Sequence, residues 1–105
     1  MILRAELKIR YGQVNAFSRA FPAVLEAMEG QGWKLLGGYQ TILGDFSKVL
    51  HVWEIPDANA VPEGLFAVLA DKEFAKATKP IAELVEHEQI ELMVPMPYSP
   101  GAEAS

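Results

Sequence analysis

The chain contains no cysteine. Disulfides, thiolate nucleophiles and cysteine-ligated zinc are therefore excluded. Histidine is scarce, with two in the chain, His51 and His87. A metal site needs three or four convergent ligands, so no metal is expected, and no cofactor is expected either. Basic residues are also few. Nine Lys and Arg face 14 Asp and Glu, for a formal charge of −5. A nucleic-acid binder needs a basic face, so that class is disfavoured. No apolar run reaches the ~18 residues of a membrane span. The start, Met1-Ile2-Leu3-Arg4-Ala5-Glu6, breaks its apolar residues with charges and so lacks a signal-peptide core. The expectation is a cytoplasmic protein with neither membrane nor nucleic acid as partner. Phosphate-loop patterns are missing, and Ser18, Ser47 and Ser99 have no nucleophile motif around them.

What is present is a foldable domain. Of 105 residues, 50% are hydrophobic and 22% charged, which is too apolar for a disordered chain. The expected organisation is one domain over residues 1–97 and a C-terminal tail over 98–105.

The segment Ile2 to Arg10 alternates. Leu3, Ala5, Leu7 and Ile9 are apolar, and Arg4, Glu6, Lys8 and Arg10 are charged. Period two predicts a strand with one buried face. Val14, Phe17, Phe21, Val24, Leu25 and Met28 recur at steps of three and four, which predicts a helix from Gln13 to Glu29. Pro22 should kink or break it, and Gly30-Gln31-Gly32 should stop it. Trp33 to Leu43 and Lys48 to Ile55 read as strands. The turn signal Gly44-Asp45 between them predicts an antiparallel hairpin. Pro62 to Val85 is helical in pattern. Pro80 is expected to split it, with Asp71 or Thr78 near a start. Ile90, Leu92 and Val94 predict a fourth strand, with His87 near the preceding helix end. Phe17, Phe21, Phe66 and Phe74 read as core.

The order βαββαβ gives an α+β fold, the ferredoxin-like sandwich. Its sheet is four-stranded and antiparallel, with the first and third strands central and the helices on one face. The uncovered face should carry Arg4, Glu6, Lys8 and Arg10. On the third strand it is expected to carry Val49, His51, Trp53 and Ile55, because a histidine suits a wet face. So apolar a face needs a cover. A second copy of the chain, packed face to face, would supply it.

Leu36-Gly37-Gly38-Tyr39, Leu43-Gly44-Asp45 and Val49-Leu50-His51-Val52-Trp53, in that order, form a recognisable series. Ala70-Asp71-Lys72-Glu73-Phe74 and Leu92-Met93-Val94-Pro95-Met96-Pro97-Tyr98-Ser99-Pro100 follow. Together they resemble the signature of the NIPSNAP family. The resemblance implies a dimeric α/β barrel, and hence a homodimer. It departs from the family's usual Arg and Tyr on the first strand, where Lys8 and Arg10 stand, and Gly38 holds a position usually tyrosine. The superfamily hosts several chemistries, so the resemblance implies a fold rather than a reaction.

His51 is the candidate catalytic residue, as a general base near neutral pH. Its structural alternative is a hydrogen-bonded interior histidine that fixes the dimer. Trp53, two residues on, is a candidate wall for a ring-shaped ligand or ordinary packing. Lys8 and Arg10 are candidate holders of an anion. For Arg4 the alternative is cross-strand pairing with Glu91. Tyr39 and Gln40 are candidate lining residues. The functional expectation is a homodimer binding a small aromatic or anionic organic molecule in its interior, with a cofactor-free enzyme within that reading. The alternative is a non-catalytic interaction module whose sheet face serves only dimerisation.

Overall fold

The alternating first segment forms β1 (Ile2–Ile9), with Leu3, Ala5, Leu7 and Ile9 buried and the residues between them half-buried. The computed structural model describes residues 1–100. After β1 come α1 (Val14–Gly30), β2 (Lys34–Gln40), β3 (Lys48–Glu54), α2 (Ala60–Leu69), α3 (Lys72–Leu84) and β4 (Val85–Met93). The strands form one antiparallel sheet in the order β2-β3-β1-β4. This is the expected ferredoxin-like α+β architecture with β1 and β3 central. Among the described residues no helix is long and apolar enough to cross a membrane. Most of the expected tail, residues 101–105, lies outside the described residues.

α1 follows its apolar stripe and ends at Gln31, with Gly32 at φ +87° turning the chain into β2. Only glycine takes that left-handed conformation without strain. Pro22 lies inside α1 without ending it. The stripe on both sides of the proline packs on one core, which offsets the missing hydrogen bond.

The second helical region divides at Asp71, not at Pro80 as the proline predicts. Asp71 accepts hydrogen bonds at Oδ1 from the main-chain N–H groups of Glu73 (2.9 Å) and Phe74 (3.2 Å). Satisfying two orphan donors makes a helix start there, and Pro80 is carried inside α3. Phe66, expected in the core, is 74% exposed. The fourth strand begins at Val85, several residues before the apolar alternation shows it. His87 therefore sits on β4 opposite Lys8, not at a helix end.

The largest correction concerns the sheet faces. Val49, His51 and Trp53 are buried under the helices with Leu3, Ala5 and Leu7, not on the uncovered face. The register shows why. His51 pairs with Ala5, Trp53 with Leu3 and Val49 with Leu7. Directly paired residues share a face of the pleat, so the apolar row of β1 carries its partners with it. The uncovered face instead holds Arg4, Glu6 and Lys8 beside Val52, Leu50 and Lys48. Ile55, past the end of β3, is also buried.

The charges on the uncovered face are paired. Arg4 Nη1 meets Glu91 Oε1 at 3.0 Å, as the cross-strand reading expects, and Lys48 Nζ lies 3.2 Å from Glu6 Oε1. Exposed pairs of this kind contribute about 0–1 kcal/mol each. They set register more than stability. The core does the stabilising, with Leu3 and Ile9 at 1% and 0% exposure. Burying a side chain of that size contributes about 1.5–3 kcal/mol.

Candidate functional site

A cavity of about 150 Å³ lies between sheet and helices. Its floor is Leu3, Ala5 and Leu7 of β1, flanked by His51 and Trp53 of β3 and by Glu88 and Ile90 of β4. Its roof includes Phe17, Phe21, Leu65 and Ile81. Ala5 explains why space remains there. It is the smallest side chain of the β1 row and sits between His51 on one neighbour and Ile90 on the other. Ile90 and Leu65 stay 45% and 42% exposed, so the cavity opens on the β4 side. Trp53, His51 and Trp33 close its inner end.

His51 is 6% exposed. Its ring packs on Phe21 at 4.4 Å between centroids and on Phe17 at 6.0 Å, and meets Trp53 edge-on at 6.3 Å. Phe17 and Phe21 stand one turn apart on α1, which brings both over the same strand residue. Among the described residues none forms a hydrogen bond with the His51 ring. Burial pushes its pKa below the usual histidine value, because an imidazolium loses hydration among aromatic rings. The neutral base is therefore favoured. The reading of His51 as a hydrogen-bonded interior histidine does not describe this environment.

His51 also borders a second, open groove of about 320 Å³ between α1 and the β2–β3 hairpin. Gly38 lies on the groove wall. A Cβ at Gly38 would stand 3.2 Å from His51 Cδ2, so the bare backbone there gives the imidazole its room.

The structure brings Trp53 to His51 in the cavity and Tyr39 and Gln40 to it along the open groove, and it separates Lys8 and Arg10 from it. Lys8 is ion-paired with Asp45 of the β2–β3 loop. That pairing, led by the Lys8 hydrogen bond, holds the Asp45 carboxyl below the usual aspartate value. Arg10 Nε donates to the Glu83 carbonyl at 2.6 Å, and its main-chain N–H donates to the Leu84 carbonyl at 2.8 Å. Arg10 thereby ties β1 to the end of α3. Tyr39 pairs with Leu50, a residue of the uncovered face, and is 60% exposed. Gln40 lines the open groove and donates to the Phe46 carbonyl at 2.9 Å. Neither Lys8 nor Arg10 lines the 150 Å³ cavity.

Glu88 is the residue that sequence reasoning misses. It is exposed overall, yet it lines the cavity with Leu65, Ile81 and Ile90. Burial among those apolar groups raises its carboxyl above the usual glutamate value. The available signal was parity. Glu88 shares its strand face with Ile90 and Leu92, so extending the alternation backwards places an acid on the apolar side. Trp33 Nε1, beside Gly64 of α2, is a buried donor without a partner among the described residues. Among the described residues no group of three His, Asp or Glu converges as a metal site would require.

Several solved structures share the architecture. A NIPSNAP family protein from Agrobacterium tumefaciens matches at a TM-score of 0.84 and 18% identity, over 94% of this chain and 95% of that one. A NIPSNAP-like domain protein from Burkholderia xenovorans matches at 0.82 and 22% identity, over 94% of this chain and 87% of that one. A protein from Nitrosomonas europaea that carries the name of an antibiotic biosynthesis monooxygenase matches at 0.61 and 7% identity, over 90% and 98%. At these identities the likeness concerns the fold. No match is found among functionally curated proteins. The NIPSNAP family model matches residues 5–100. That span holds all of the sheet and helices except the first residues of β1, and the chain belongs to the NIPSNAP family.

Proposed function

We propose that the protein binds a small, uncharged, ring-shaped organic molecule in the cavity between its helices and its sheet. The observation that carries this is a single apolar cavity whose wall holds both His51 and Glu88. Ligand sites are commonly apolar with a few convergent polar groups. Groups whose pKa is shifted in a cleft mark candidate chemistry. The volume, about 150 Å³, suits a single ring. An apolar cavity of that size can take a benzene-sized guest. Lys8 and Arg10 have other partners, so the aromatic half of the sequence expectation is favoured over the anionic half. The Nitrosomonas neighbour's name makes chemistry on a small organic molecule a reasonable class for this fold, and the reaction itself must come from the site.

The test is to fill the cavity. Ala5→Leu projects a larger side chain from the middle of the floor. The expected outcome is loss of binding of benzene-sized probes by at least ~10-fold, followed by Trp33 and Trp53 fluorescence, with the circular dichroism spectrum retained. Unchanged binding in a folded Ala5→Leu protein removes this reading.

The assembly that fits is a homodimer through the uncovered sheet face. Leu50 and Val52 lie half-buried there, and Leu36, Tyr39 and Met93 are 46%, 60% and 38% exposed. An open groove of about 770 Å³ runs past Ile2, Leu36 and Met93. Burying such a face removes apolar area from water. Leu50→Asp is expected to convert a dimer mass to a monomer mass in light scattering. A monomer before substitution defeats the assembly and leaves the cavity reading standing.

A further inference from the structure

We propose that Glu88 is a catalytic proton donor facing His51 across the cavity, and that the pair interconverts the keto and enol forms of an uncharged single-ring carbonyl compound. The proposal rests on the cavity being the ligand site.

The register sets the spacing. His51 stands beside Ala5 on one side, and Glu88 stands beside Leu7 on the other. From strand spacing and rise, their Cα atoms lie roughly 12 Å apart on one face of the sheet. Both side chains reach inward from that separation. The cavity they share lies above Ala5, and its volume of about 150 Å³ is that of a single-ring guest. His51 is at the inner, aromatic end, and Glu88 is at the open end.

The lining determines the charge of the ligand. Among the described residues it contains no Lys or Arg, and its titratable members are His51 and Glu88. The elements packed over it present Phe17, Phe21, Val24 and Met28 from α1, Val61 and Leu65 from α2, and Ile81 from α3. A carboxylate ligand would lose its hydration and find no counter-ion. A carbonyl loses far less, and a protonated carboxyl can hydrogen-bond to it.

The step balances within the site. The neutral His51 nitrogen takes a proton from the carbon beside the carbonyl. The C–H electron pair becomes the C=C bond, and the carbonyl π pair moves to oxygen. That oxygen takes the Glu88 proton. An enol, an imidazolium and a carboxylate result, and the reverse transfers restore the starting groups. Return of the proton to a different carbon of a conjugated ligand isomerises it.

The pKa directions agree. Burial lowers His51 and raises Glu88, so the two values move toward each other. Activity requires His51 neutral, so it rises as pH climbs through the His51 pKa. It requires Glu88 protonated, so it falls as pH climbs through the Glu88 pKa. A bell-shaped profile bounded by the two groups follows.

Cyclohexanone is the probe. It carries one ring, one carbonyl, no charge and exchangeable protons. In deuterated buffer, the full chain is expected to accelerate α-proton exchange above the buffer rate, as read by NMR. Glu88→Gln keeps the side chain's shape, and it is expected to bind cyclohexanone as before but slow exchange at least ~10-fold. Its profile should lose the limb at higher pH, which a merely structural role would not remove. Binding with exchange unchanged in Glu88→Gln overturns the proton-donor role and leaves the binding reading intact. Failure to bind cyclohexanone while benzoate binds overturns the uncharged class. Failure to bind either overturns both readings.

Discussion

Trp53→Ala is expected to cost about 3–5 kcal/mol of folding stability. Trp53 is 4% exposed and pairs with Leu3 on one side and Leu35 on the other. Its ring meets Trp33 edge-on at 5.7 Å and Phe21 at 6.3 Å. Truncation removes the transfer free energy of the indole and leaves a void that rigid strands on both sides cannot close. It also breaks aromatic pairs worth about 0.5–1.5 kcal/mol each beyond area. A domain of this size has about 5–15 kcal/mol in total, so the loss is a large fraction. Each kcal/mol shifts the midpoint by about 4–8 °C in a domain of 60–100 residues. The measurement is urea unfolding monitored by circular dichroism, with Trp53→Phe as the milder comparison. A loss below about 1 kcal/mol would mean that the indole is not a core residue in solution.

Phe21→Ala is the second large effect, at about 2–3 kcal/mol, near or below the lower end for buried phenylalanine because Phe21 is partly buried. Its distinctive consequence is at His51. Phe21 lies 4.4 Å from the imidazole, and the burial it supplies depresses the His51 pKa. Without it, water reaches the ring and the pKa moves back up toward the ordinary value of about 6.5. An NMR titration of the imidazole protons reads this directly, and an unmoved pKa would contradict the burial account.

The same shift fixes a stability slope. In the folded state His51 resists protonation, whereas the unfolded state binds a proton below about 6.5. Its contribution is fully present above that value and is lost as pH falls through the folded pKa. Phe21→Ala should flatten that acid-side slope. Glu88 acts in the opposite direction. Its raised folded pKa gives a contribution present below the ordinary glutamate value and lost as pH rises through the folded one. A Glu88→Gln background therefore isolates the His51 slope.

The fold was legible because its signals are local. Alternation from Leu3 to Ile9, the 3.6-residue stripe from Val14 to Met28, and the Gly44-Asp45 turn each state one element without help from the rest. Two of the readings that failed along the chain did so where two local rules competed. At Asp71 a side-chain cap outweighed the proline at position 80. Before Ile90 the strand runs through charged residues, whose apolar alternation is absent because β4 is an edge strand open to water. The candidate site was less legible. His51 and Trp53 were identifiable as residue types, and Lys8 and Arg10 were visible as charge, but which of them meet was not.

Sequence alone determined the order of the elements, because period, capping and turn chemistry act within a few residues, and its motif series carried the family resemblance. Tertiary structure decided which face of β3 the helices cover, and with it where His51 points. A strand's two faces differ only by the parity of its pairing. That parity is set by the partner strand: Ala5 opposite His51, and Leu7 opposite Glu88. Those two pairings, 46 and 81 residues apart in sequence, put a base and an acid around one cavity and send the cationic row to the other side.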